Sequence, residues 1–384
     1  MDLSSDQTIV LTNLIDWVNY KHKDNFITLG GYAGTGKSTL IAELRKQLDL
    51  SNKDLKVAFC SYTGKATQVL KIKLLTLKVL FPKDNISTIH SLIYSPLTSE
   101  VGQVLGWEKK EKLNFDLIVV DEASMLNSII WQDLLSYKIP IIAVGDHGQL
   151  PPIEGTFNLM LEPMLKLEKI HRQAENNPII KLSMLAREEG EIKVGNYSGT
   201  VRKILRQEVD SQESITDYLA NYSPENLILC GYNFTRIKLN RYIRSNFEYS
   251  SAVPAIGDKV ICLRNNHSKQ IFNGMTGTIK SLESENNDSY YTEINLSDEG
   301  ITYKGLIAKS QFNSPKTLSY NDKLKGIDLF DFGYALTVHK AQGSQANKVL
   351  LFEEKFPQMN DDLWRRWLYT GITRATEGLL LVGT

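Results

Sequence analysis

The sequence predicts an α/β protein with two parallel sheets, each wrapped by helices. Two observations support this prediction. Short apolar runs at residues 26–29, 57–60, 117–120 and 140–144 alternate with helical patterns up to residue 165, which is typical of a parallel sheet. A second, weaker alternation begins at Leu227 and continues to residue 382. A chain of 384 residues is also long enough for two or more domains, each with its own core.

The first segment with a chemical signature is the glycine-rich stretch 31–38, which fits the pattern G-x-x-x-x-G-K-[ST]. Its glycines permit the backbone angles with which successive N–H groups surround a phosphate, and the helix that follows directs its positive end at the same anion. Lys37 then reaches the β and γ phosphates, and Ser38 holds Mg²⁺. A glycine-rich turn without a ligand is the alternative. Strand, loop and helix nevertheless occur in the order that a nucleotide triphosphate site needs.

A pair of carboxylates follows the apolar run 117–120. Because this run is unbroken and rich in β-branched residues, it predicts a buried parallel strand that ends at Asp121 and Glu122. Ligands of open α/β sheets bind at the carboxyl ends of the strands. We therefore expect Asp121 to hold Mg²⁺ through water and Glu122 to orient and deprotonate the attacking water. A helix N-cap is the structural alternative for two acids in this position.

The bulk composition restricts the function less than the motifs do. The 44 basic and 44 acidic residues balance, so a nucleic-acid site must be a local groove. Cys60, Cys230 and Cys262 are scattered without metal-ligand spacing, which favours reduced thiols in a cytoplasmic protein. The sequence shows no basic and apolar leader, and no apolar run approaches the roughly 18 residues of a membrane helix. We expect a soluble protein without a membrane partner.

Two stretches interrupt the α/β alternation. Residues 91–116 are polar, contain Trp107 and a charge run at 109–112, and predict a small hairpin insertion. Residues 254–326 contain short strand patterns separated by Gly, Asn and Asp turns, which predict a small β-barrel inserted in the second α/β unit.

Further sequence blocks occur in order at residues 62–66, 87–90, 145–152, 167–173, 334–344 and 369–375. Together with the phosphate loop and the acidic pair, they resemble the motifs of superfamily 1 DNA helicases, in particular the 5′-to-3′ branch that includes bacteriophage Dda and bacterial RecD-type enzymes. The resemblance implies two RecA-like domains in tandem. Residues 1–90 and 117–165 would form the first (1A) and residues 166–253 and 327–384 the second (2A). Residues 91–116 would be the hairpin (1B) and residues 254–326 an SH3-like barrel (2B).

The resemblance also implies roles around ATP. Gln7, expected before the first helix, would read the adenine, with an ordinary solvated glutamine as the alternative. Gln149 would contact the γ-phosphate. His171 occupies a position where many relatives have a tyrosine that stacks on the base. Arg172 and Arg374, both expected in the second α/β unit, would reach the γ-phosphate as arginine fingers. A surface arginine paired with a nearby acid is the alternative for either residue. The remaining nucleotide-binding positions implied by the motifs are Gly34, Thr35, Gly36, Thr39 and Gly343.

A DNA track is implied by the remaining blocks. Its candidate phosphate and sugar contacts are Thr63, Lys65, His90, Thr337, His339 and Lys340. A solvated Lys340 is an alternative, and both histidines have a structural alternative. Trp107 is the candidate wedge or stacking residue, with packing in a small satellite core as the alternative. Trp364 and Trp367, three apart in a helical pattern, are expected in core or interdomain packing, with DNA contact as the alternative.

The resemblance thus implies an ATP-dependent, Mg²⁺-requiring helicase that moves 5′ to 3′ on single-stranded DNA and unwinds duplex with a 5′ tail. Such an enzyme would act as a monomer and meet replication or recombination proteins, for example a single-strand-binding protein. A DNA-stimulated ATPase that remodels protein–DNA complexes, or that serves as a motor subunit without efficient unwinding, remains the alternative. RNA unwinding also remains open, because no residue of the sequence identifies the 2′-hydroxyl.

Overall fold

The computed structural model describes residues 3–20, 24–98, 104–152, 157–170, 176–249, 252–269, 271–296, 300–319 and 324–383, without the side chains of residues 65, 96–98, 104–107 and 267. The chain divides into two units. The first contains residues 1–95 and 108–187, and the second contains residues 96–107 and 188–384.

The first unit is built on a six-stranded sheet in which all pairings are parallel. Along the chain from residue 5 to residue 188 the elements are α1 (Ser5–Asn19), β1 (Phe26–Gly31), α2 (Lys37–Ser51), β2 (Val57–Ser61), α3 (Gly64–Thr76), β3 (Asn85–Thr88), α4 (Ile89–Ile93), β4 (Tyr94–Thr98), β5 (Val104–Lys109), β6 (Leu117–Asp121), α5 (Ser128–Ser136), β7 (Ile141–Gly145), β8 (Leu165–Leu167) and α6 (Pro178–Glu188). The sheet order is β3-β2-β6-β7-β1-β8.

The strands of this sheet form because their apolar residues are buried on both faces. Residues 117–120 of β6 and all five residues of β7 are buried, as expected for a parallel sheet covered by helices. Since the strands run in one direction, the phosphate loop after β1, the acidic pair after β6 and the loop after β7 all follow carboxyl ends of strands in the same sheet. The predicted α/β class is confirmed for this unit.

The second unit contains a mostly parallel sheet and a β-rich insertion. Its elements are β9 (Gly195–Ser198), β10 (Val201–Leu205), α7 (Val209–Ala220), β11 (Asn226–Cys230), α8 (Asn233–Asn246), β12 (Lys259–Cys262), β13 (Thr276–Ser284), β14 (Ser289–Leu296), β15 (Ile301–Ala308), β16 (Ile327–Asp328), β17 (Phe330–Phe332), β18 (Ala335–Thr337), β19 (Ala346–Phe352), α9 (Asp361–Ile372) and β20 (Ala375–Gly383). Short 3-10 helices span Ala123–Met125 in the first unit and His267–Lys269, Lys309–Gln311 and Val338–Ala341 in the second.

The α/β sheet of the second unit has the order β18-β11-β19-β20-β10-β9 and is parallel except for β9. The insertion forms a separate six-stranded sheet of order β16-β15-β14-β13-β12-β17. A buried ion pair between Arg244 of α8 and Asp258 (2.8 Å) joins the two parts, and Tyr334 donates a hydrogen bond to the same carboxylate. The β-rich character of the insertion is therefore as expected, while its SH3-like barrel form stays a prediction.

Two predicted boundaries need correction. The first unit does not end at residue 165, because β8 pairs in parallel with β1, with Leu29 opposite Leu165, and the unit continues to residue 187. The insertion does not end at residue 326, because β17 pairs with β12, with Val260 opposite Phe332. Both short strands complete sheets whose other members are distant in sequence, so local patterns could not assign them.

The hairpin expected within residues 91–116 contains β4 and β5, which form a two-stranded sheet. The charge run after it folds back on the first unit, where Lys109 pairs with Asp133 (3.3 Å) and Lys110 donates to the carbonyl of Ser91 (2.7 Å). Whether this hairpin acts as a separate 1B element stays a prediction.

Trp367 of α9 lies in the core as expected, and Trp364 beside it is half-buried. Trp367 is fully buried, its ring is stacked on that of Trp364 with centroids 5.3 Å apart, and Trp364 Nε1 donates to the carbonyl of Gly190 (2.7 Å). All three cysteines are buried free thiols. None of the helices in the described ranges has both the length and the apolar content that crossing a membrane requires.

Candidate functional site

The phosphate loop has the backbone conformation that an anion site requires. Gly34 and Gly36 lie in the left-handed region, with φ of 81° and 78°, and α2 begins directly after Gly36. Residues with a side chain rarely adopt these angles. The loop therefore reaches the positive end of α2 without strain, as a phosphate site at a helix N-terminus needs. Ser38 and Thr39 occupy the first turn of α2 and are half-buried.

Lys37 is held over this loop by the backbone. Its Nζ donates hydrogen bonds to the carbonyl oxygens of Gly31 (2.6 Å) and Tyr32 (3.0 Å). A Cβ on residue 31 would lie only 2.6 Å from Thr35 Oγ1. The close approach of residues 31 and 35 within the loop therefore favours glycine at position 31. The Lys37 ammonium group thus lies at the phosphate loop. It could donate to phosphate oxygens of a bound nucleotide in place of these two carbonyl oxygens.

Gln7 lies within the first turn of α1, which corrects the expectation that it precedes this helix. The helix begins earlier because Ser4 is its N-cap and forms a capping box with Gln7. Gln7 Oε1 accepts from the Ser4 N–H (3.1 Å), and its Nε2 donates to the carbonyl of Thr35 (3.1 Å). Gln7 is 1% exposed, so it joins the start of α1 to the phosphate loop and is not a solvated surface residue.

Asp121 ends β6 as the sequence predicts. Burial raises the pKa of its carboxyl group, and the backbone N–H of Glu122 and the ammonium groups of Lys37 and Lys73 oppose that rise. The ammonium groups of Lys37 and Lys73 are therefore close enough to stabilise the ionised carboxylate of Asp121. A site in which an anion and cations surround a phosphate loop is the arrangement expected for a metal–triphosphate ligand.

Glu122 adopts φ 54° and ψ 38°, a left-handed conformation that costs a residue with a side chain about 1–2 kcal/mol. Two hydrogen bonds hold it there. The Glu122 N–H donates to Asp121 Oδ1 (3.0 Å), and the Glu122 carbonyl accepts from the Met125 N–H (3.1 Å). Strain of this kind is concentrated at functional sites. Glu122 precedes a 3-10 helix, so the N-cap alternative describes its place in the chain, but its side chain makes no capping hydrogen bond.

Lys73 of α3 is a residue that sequence reasoning missed. Burial lowers the pKa of its ammonium group, Asp121 raises it, and the neighbouring charge of Lys37 lowers it. It lies on the helix after the block 62–66, outside every motif, so only the packing of α3 brings its charge towards the phosphate loop. A single lysine on an amphipathic helix offers no sequence signal for such a role.

Gln149 lies in a loop that is fixed by Asp146. Both residues are buried, and Asp146 accepts hydrogen bonds from the Gly148 N–H (2.9 Å) and from Gln149 Nε2 (3.3 Å). The ring of His147 lies 4.3 Å from that of Tyr32 in the phosphate loop. The loop after β7 therefore contacts the loop after β1, which supports the expectation that Gln149 lies close to the phosphates.

Arg374 of the second unit is buried, and its partners differ from those of a surface arginine. Its guanidinium donates to the carbonyls of Thr370 (3.0 Å) and Ser344 (3.1 Å) and to Thr373 Oγ1 (3.2 Å), and no described carboxylate pairs with it. Gly343, with φ 73°, precedes Ser344. A buried cation that is held only by neutral groups can still attract an anion.

Two first-unit candidates for DNA contact, Thr63 and His90, already have structural roles. Thr63 is the N-cap of α3, and its side chain accepts from the Ala66 N–H (3.2 Å). His90 is 4% exposed, with its ring 5.9 Å from that of Tyr62 and 6.0 Å from that of Tyr94. These contacts favour the structural alternative for His90, in which it holds the chain around α4.

The second-unit candidates lie at the end of β18 and in the 3-10 helix that follows it. Thr337 is buried, whereas His339 and Lys340 are half-buried in the 3-10 helix after it. Burial lowers the pKa of His339. Burial also lowers the pKa of Lys340 to about 8, the guanidinium of Arg236 acts in the same direction, and Asp331 and Cys262 oppose it. Lys340 thus lies beside the buried Arg236–Asp331 ion pair (2.9 Å) and is not an ordinary solvated lysine.

Four candidates lie wholly or partly outside the described residues. These are His171, Arg172 and the side chains of Lys65 and Trp107. The expectation that Arg172 belongs to the second α/β unit stays a prediction. The described elements before and after it, β8 and α6, belong to the first unit up to residue 187.

The donor atoms at the phosphate loop fit a divalent cation. Ser38 supplies a hydroxyl, and Asp121 supplies a carboxylate of which only Oδ1 accepts a hydrogen bond from a described residue. Mg²⁺ prefers oxygen ligands and is commonly held by one or two protein side chains together with substrate phosphates and water.

Two family models match this chain. Residues 16–155 match one described as an AAA domain, and residues 332–382 match one described as a UvrD-like helicase C-terminal domain. The first match includes the phosphate loop, Asp121, Glu122 and Gln149, and the second includes the residues from Thr337 to Arg374.

Curated relatives cover almost the whole chain. The ATP-dependent RecD2 DNA helicase of Deinococcus radiodurans is 27% identical over 100% of this chain and 49% of its own length. The RecBCD enzyme subunit RecD of Buchnera aphidicola is 25% identical over 94% of this chain and 71% of its own length. The chain thus spans about half the length of the first relative and about 70% of the second.

This chain resembles a solved structure of Pif1 helicase with a TM-score of 0.50 and 18% identity. That structure concerns DNA unwinding at forked double-stranded DNA by two coordinating Pif1 helicases. The likeness covers 99% of this chain and 92% of the other. At this identity it shows a shared α/β fold.

Proposed function

We propose, from the premise that this chain is a superfamily 1 helicase related to the RecD enzymes, that it hydrolyses ATP to move 5′ to 3′ along single-stranded DNA and to separate duplex ahead of it. The observation that supports this best is the first unit's phosphate loop. Lys37 donates a hydrogen bond to the backbone of this loop. Asp121 ends a strand of the same sheet, Glu122 follows it, and the loop that contains Gln149 contacts the phosphate loop.

In this proposal the chain's own residues perform the hydrolysis. Lys37 neutralises the β and γ phosphates, and Glu122 accepts a proton from the water that attacks the γ-phosphorus. Ser38 and Asp121 would hold Mg²⁺, which supplies charge neutralisation of the triphosphate. Gln149 would respond to loss of the γ-phosphate. Gln7 would fix the start of α1 against the loop near the base.

The second α/β unit would supply the other half of the motor. Arg374, together with Arg172, would stabilise the charge that develops on the transferred phosphoryl group. The α/β parts of the two units would be domains 1A and 2A, the hairpin 1B and the β-rich insertion 2B. A DNA track would run over both units, with contacts to the phosphates and sugars of the DNA from Thr63, Lys65, Thr337, His339 and Lys340.

The distinguishing experiment is strand displacement with two duplexes that carry the same sequence and either a 5′ or a 3′ single-stranded tail. Only the 5′-tailed duplex should be separated, and only with ATP and Mg²⁺. Equal use of both tails would contradict the assigned direction.

A motor without efficient unwinding is the second candidate, and the RecD relative, which is a subunit of a larger enzyme, favours it. This candidate predicts ATP hydrolysis that single-stranded DNA stimulates, together with little strand separation from either tail. Measuring hydrolysis on the same oligonucleotides therefore separates the two proposals.

The DNA affinity should depend on the charge of Lys340. Because its pKa is about 8, the lysine is mainly protonated at about pH 7 and neutral at about pH 9. Affinity for an oligothymidylate should fall about two- to fivefold over this interval as one phosphate contact is lost. His339, whose pKa is lowered from its ordinary value, stays neutral throughout the interval.

The control is Lys340→Arg, which keeps the charge at both pH values and should show a flatter profile in fluorescence-anisotropy titrations. Parallel profiles for this variant and the parent protein would exclude Lys340 as the titrating contact.

Trp107, whose backbone lies in β5, should matter for strand separation and not for the motor. Trp107→Ala should slow unwinding of a 5′-tailed duplex by about one to two orders of magnitude, because a base-stacking contact is worth about 1–3 kcal/mol. ATPase on the same DNA should stay near the parent rate, and Trp107→Phe should restore most of the unwinding. Unwinding at the parent rate by the alanine variant would assign Trp107 to local packing.

A further inference from the structure

The second unit contains a pocket of about 620 Å³ that no role described above uses. It lies between α7 and α8, beside Arg206, which follows β10, and Phe352, which ends β19. Ligands of open α/β sheets bind at such carboxyl ends of strands. Its volume is in the range of about 300–1,000 Å³ that small-ligand and side-chain pockets occupy.

The pocket has an apolar floor and an aromatic rim. Ile215, Leu219 and Leu239 are buried in the floor. At the rim, the side chain of Phe234 is 64% exposed and that of Tyr242 is 39% exposed. Large aromatic side chains that stay exposed beside an apolar cavity are typical of a surface that binds a partner.

Two cations lie at the pocket with no described carboxylate as a partner. Lys238 Nζ lies 4.4 Å from the ring centroid of Phe234, and the guanidinium of Arg206 lies 5.6 Å from that of Phe352. The carboxylate of Glu354 accepts hydrogen bonds from the N–H groups of Gly231 and Tyr232 (both 2.8 Å) and from the hydroxyl of Thr235, which lines the pocket (2.5 Å). Neither cation of the pocket forms an ion pair with it among the described contacts. Each cation therefore lies near an aromatic ring, and no carboxylate of the described residues neutralises its charge, so both can pair with an anionic ligand.

We propose that this pocket binds a short acidic peptide segment that inserts one bulky apolar side chain. The floor would bury that side chain, and Arg206 and Lys238 would pair with carboxylates on either side of it. A DNA backbone fits less well, because the site is one cavity with two cations and α7 also carries three exposed acids, Asp210, Glu213 and Asp217. A polyanion would be repelled by those acids.

The test uses the full chain and a fluorescein-labelled peptide of otherwise neutral residues in which one aspartate stands on each side of a single phenylalanine, and binding is measured by fluorescence anisotropy. We expect saturable binding that weakens with salt. Replacing the phenylalanine of the peptide by serine, or its aspartates by asparagines, should each weaken binding about tenfold or more. The double variant Arg206→Glu and Lys238→Glu should lose at least about tenfold in peptide affinity.

Two further variants control for folding and for general charge. Lys280→Glu reverses an exposed charge on β13, away from the pocket, and should bind the peptide like the parent. Thr216→Trp, at an exposed position of α7 that lines the pocket, should block binding without changing charge. Thermal melts establish that each variant is folded.

The proposal is overturned if the peptide without phenylalanine or without carboxylates binds equally well, or if the charge reversals leave its affinity unchanged. It is also overturned if the peptide does not bind while an oligothymidylate loses affinity in the double variant, because the pocket would then be a nucleic-acid subsite. None of these outcomes depends on whether the chain unwinds DNA.

Discussion

Replacing Glu122 by glutamine should reduce ATP hydrolysis by about 10²–10⁴-fold and leave nucleotide affinity close to that of the parent, because the general base is lost while the phosphate-binding groups remain. The exchange is close to isosteric. Glutamine can also keep the backbone hydrogen bonds that hold position 122 at φ 54°. Steady-state turnover beside a titration with a fluorescent ATP analogue measures the two effects separately.

Two comparisons make this expectation specific. Lys37→Ala should abolish hydrolysis and also weaken nucleotide binding, since it removes the cation over the phosphate loop. Glu111→Gln, a change of the same chemistry at an exposed position of the first unit, should leave both quantities unchanged. Hydrolysis at the parent rate by Glu122→Gln would show that another group activates the water.

Replacing Arg374 by alanine should lower the rate of DNA-stimulated hydrolysis by about 10³–10⁵-fold, with a much smaller change in nucleotide affinity, if it is an arginine finger. A finger acts on charge that develops in the transition state, so its loss affects kcat more than ground-state binding. A comparable loss in both quantities would mean that Arg374 contacts the nucleotide in the ground state.

The buried position of Arg374 requires a separate control for folding. Its three hydrogen bonds to Thr370, Ser344 and Thr373 would be lost on truncation, which costs about 1–3 kcal/mol for each buried group that is left without a partner. Arg374→Lys keeps the charge and should retain more stability but little of the rate. Arg366→Ala removes an arginine of α9, the helix that precedes Arg374; Arg366 pairs with Asp362 at 2.7 Å, and its loss should affect neither rate nor affinity.

Local patterns were sufficient for the nucleotide site of the first unit. The glycines at 34 and 36 allow one unusual backbone path, and the β-branched run 117–120 has no stable place except a strand buried on both faces. Each of these preferences is a property of a few adjacent residues. The phosphate loop, its lysine and the acidic pair could therefore be predicted with their secondary structure.

Other features depend on partners that are distant along the chain. β8 and β17 are each three residues long and become strands only because β1 and β12 offer free edges. Lys73 approaches the charges of Asp121 and Lys37 only through the packing of α3. The pocket of the second unit also arises from four separate segments, around residues 206, 212–219, 234–242 and 352.

The sequence by itself determined the α/β class, the phosphate loop and the order of the motifs, because these follow from backbone preference and short-range apolar pattern. Only the tertiary structure decided that Gln7 joins α1 to the phosphate loop, that the buried Arg374 pairs with no carboxylate of the described residues, and that burial lowers the pKa of Lys340 to about 8. The physical reason is that burial and long-range electrostatics depend on which distant groups surround a side chain, and neighbours in sequence do not specify them.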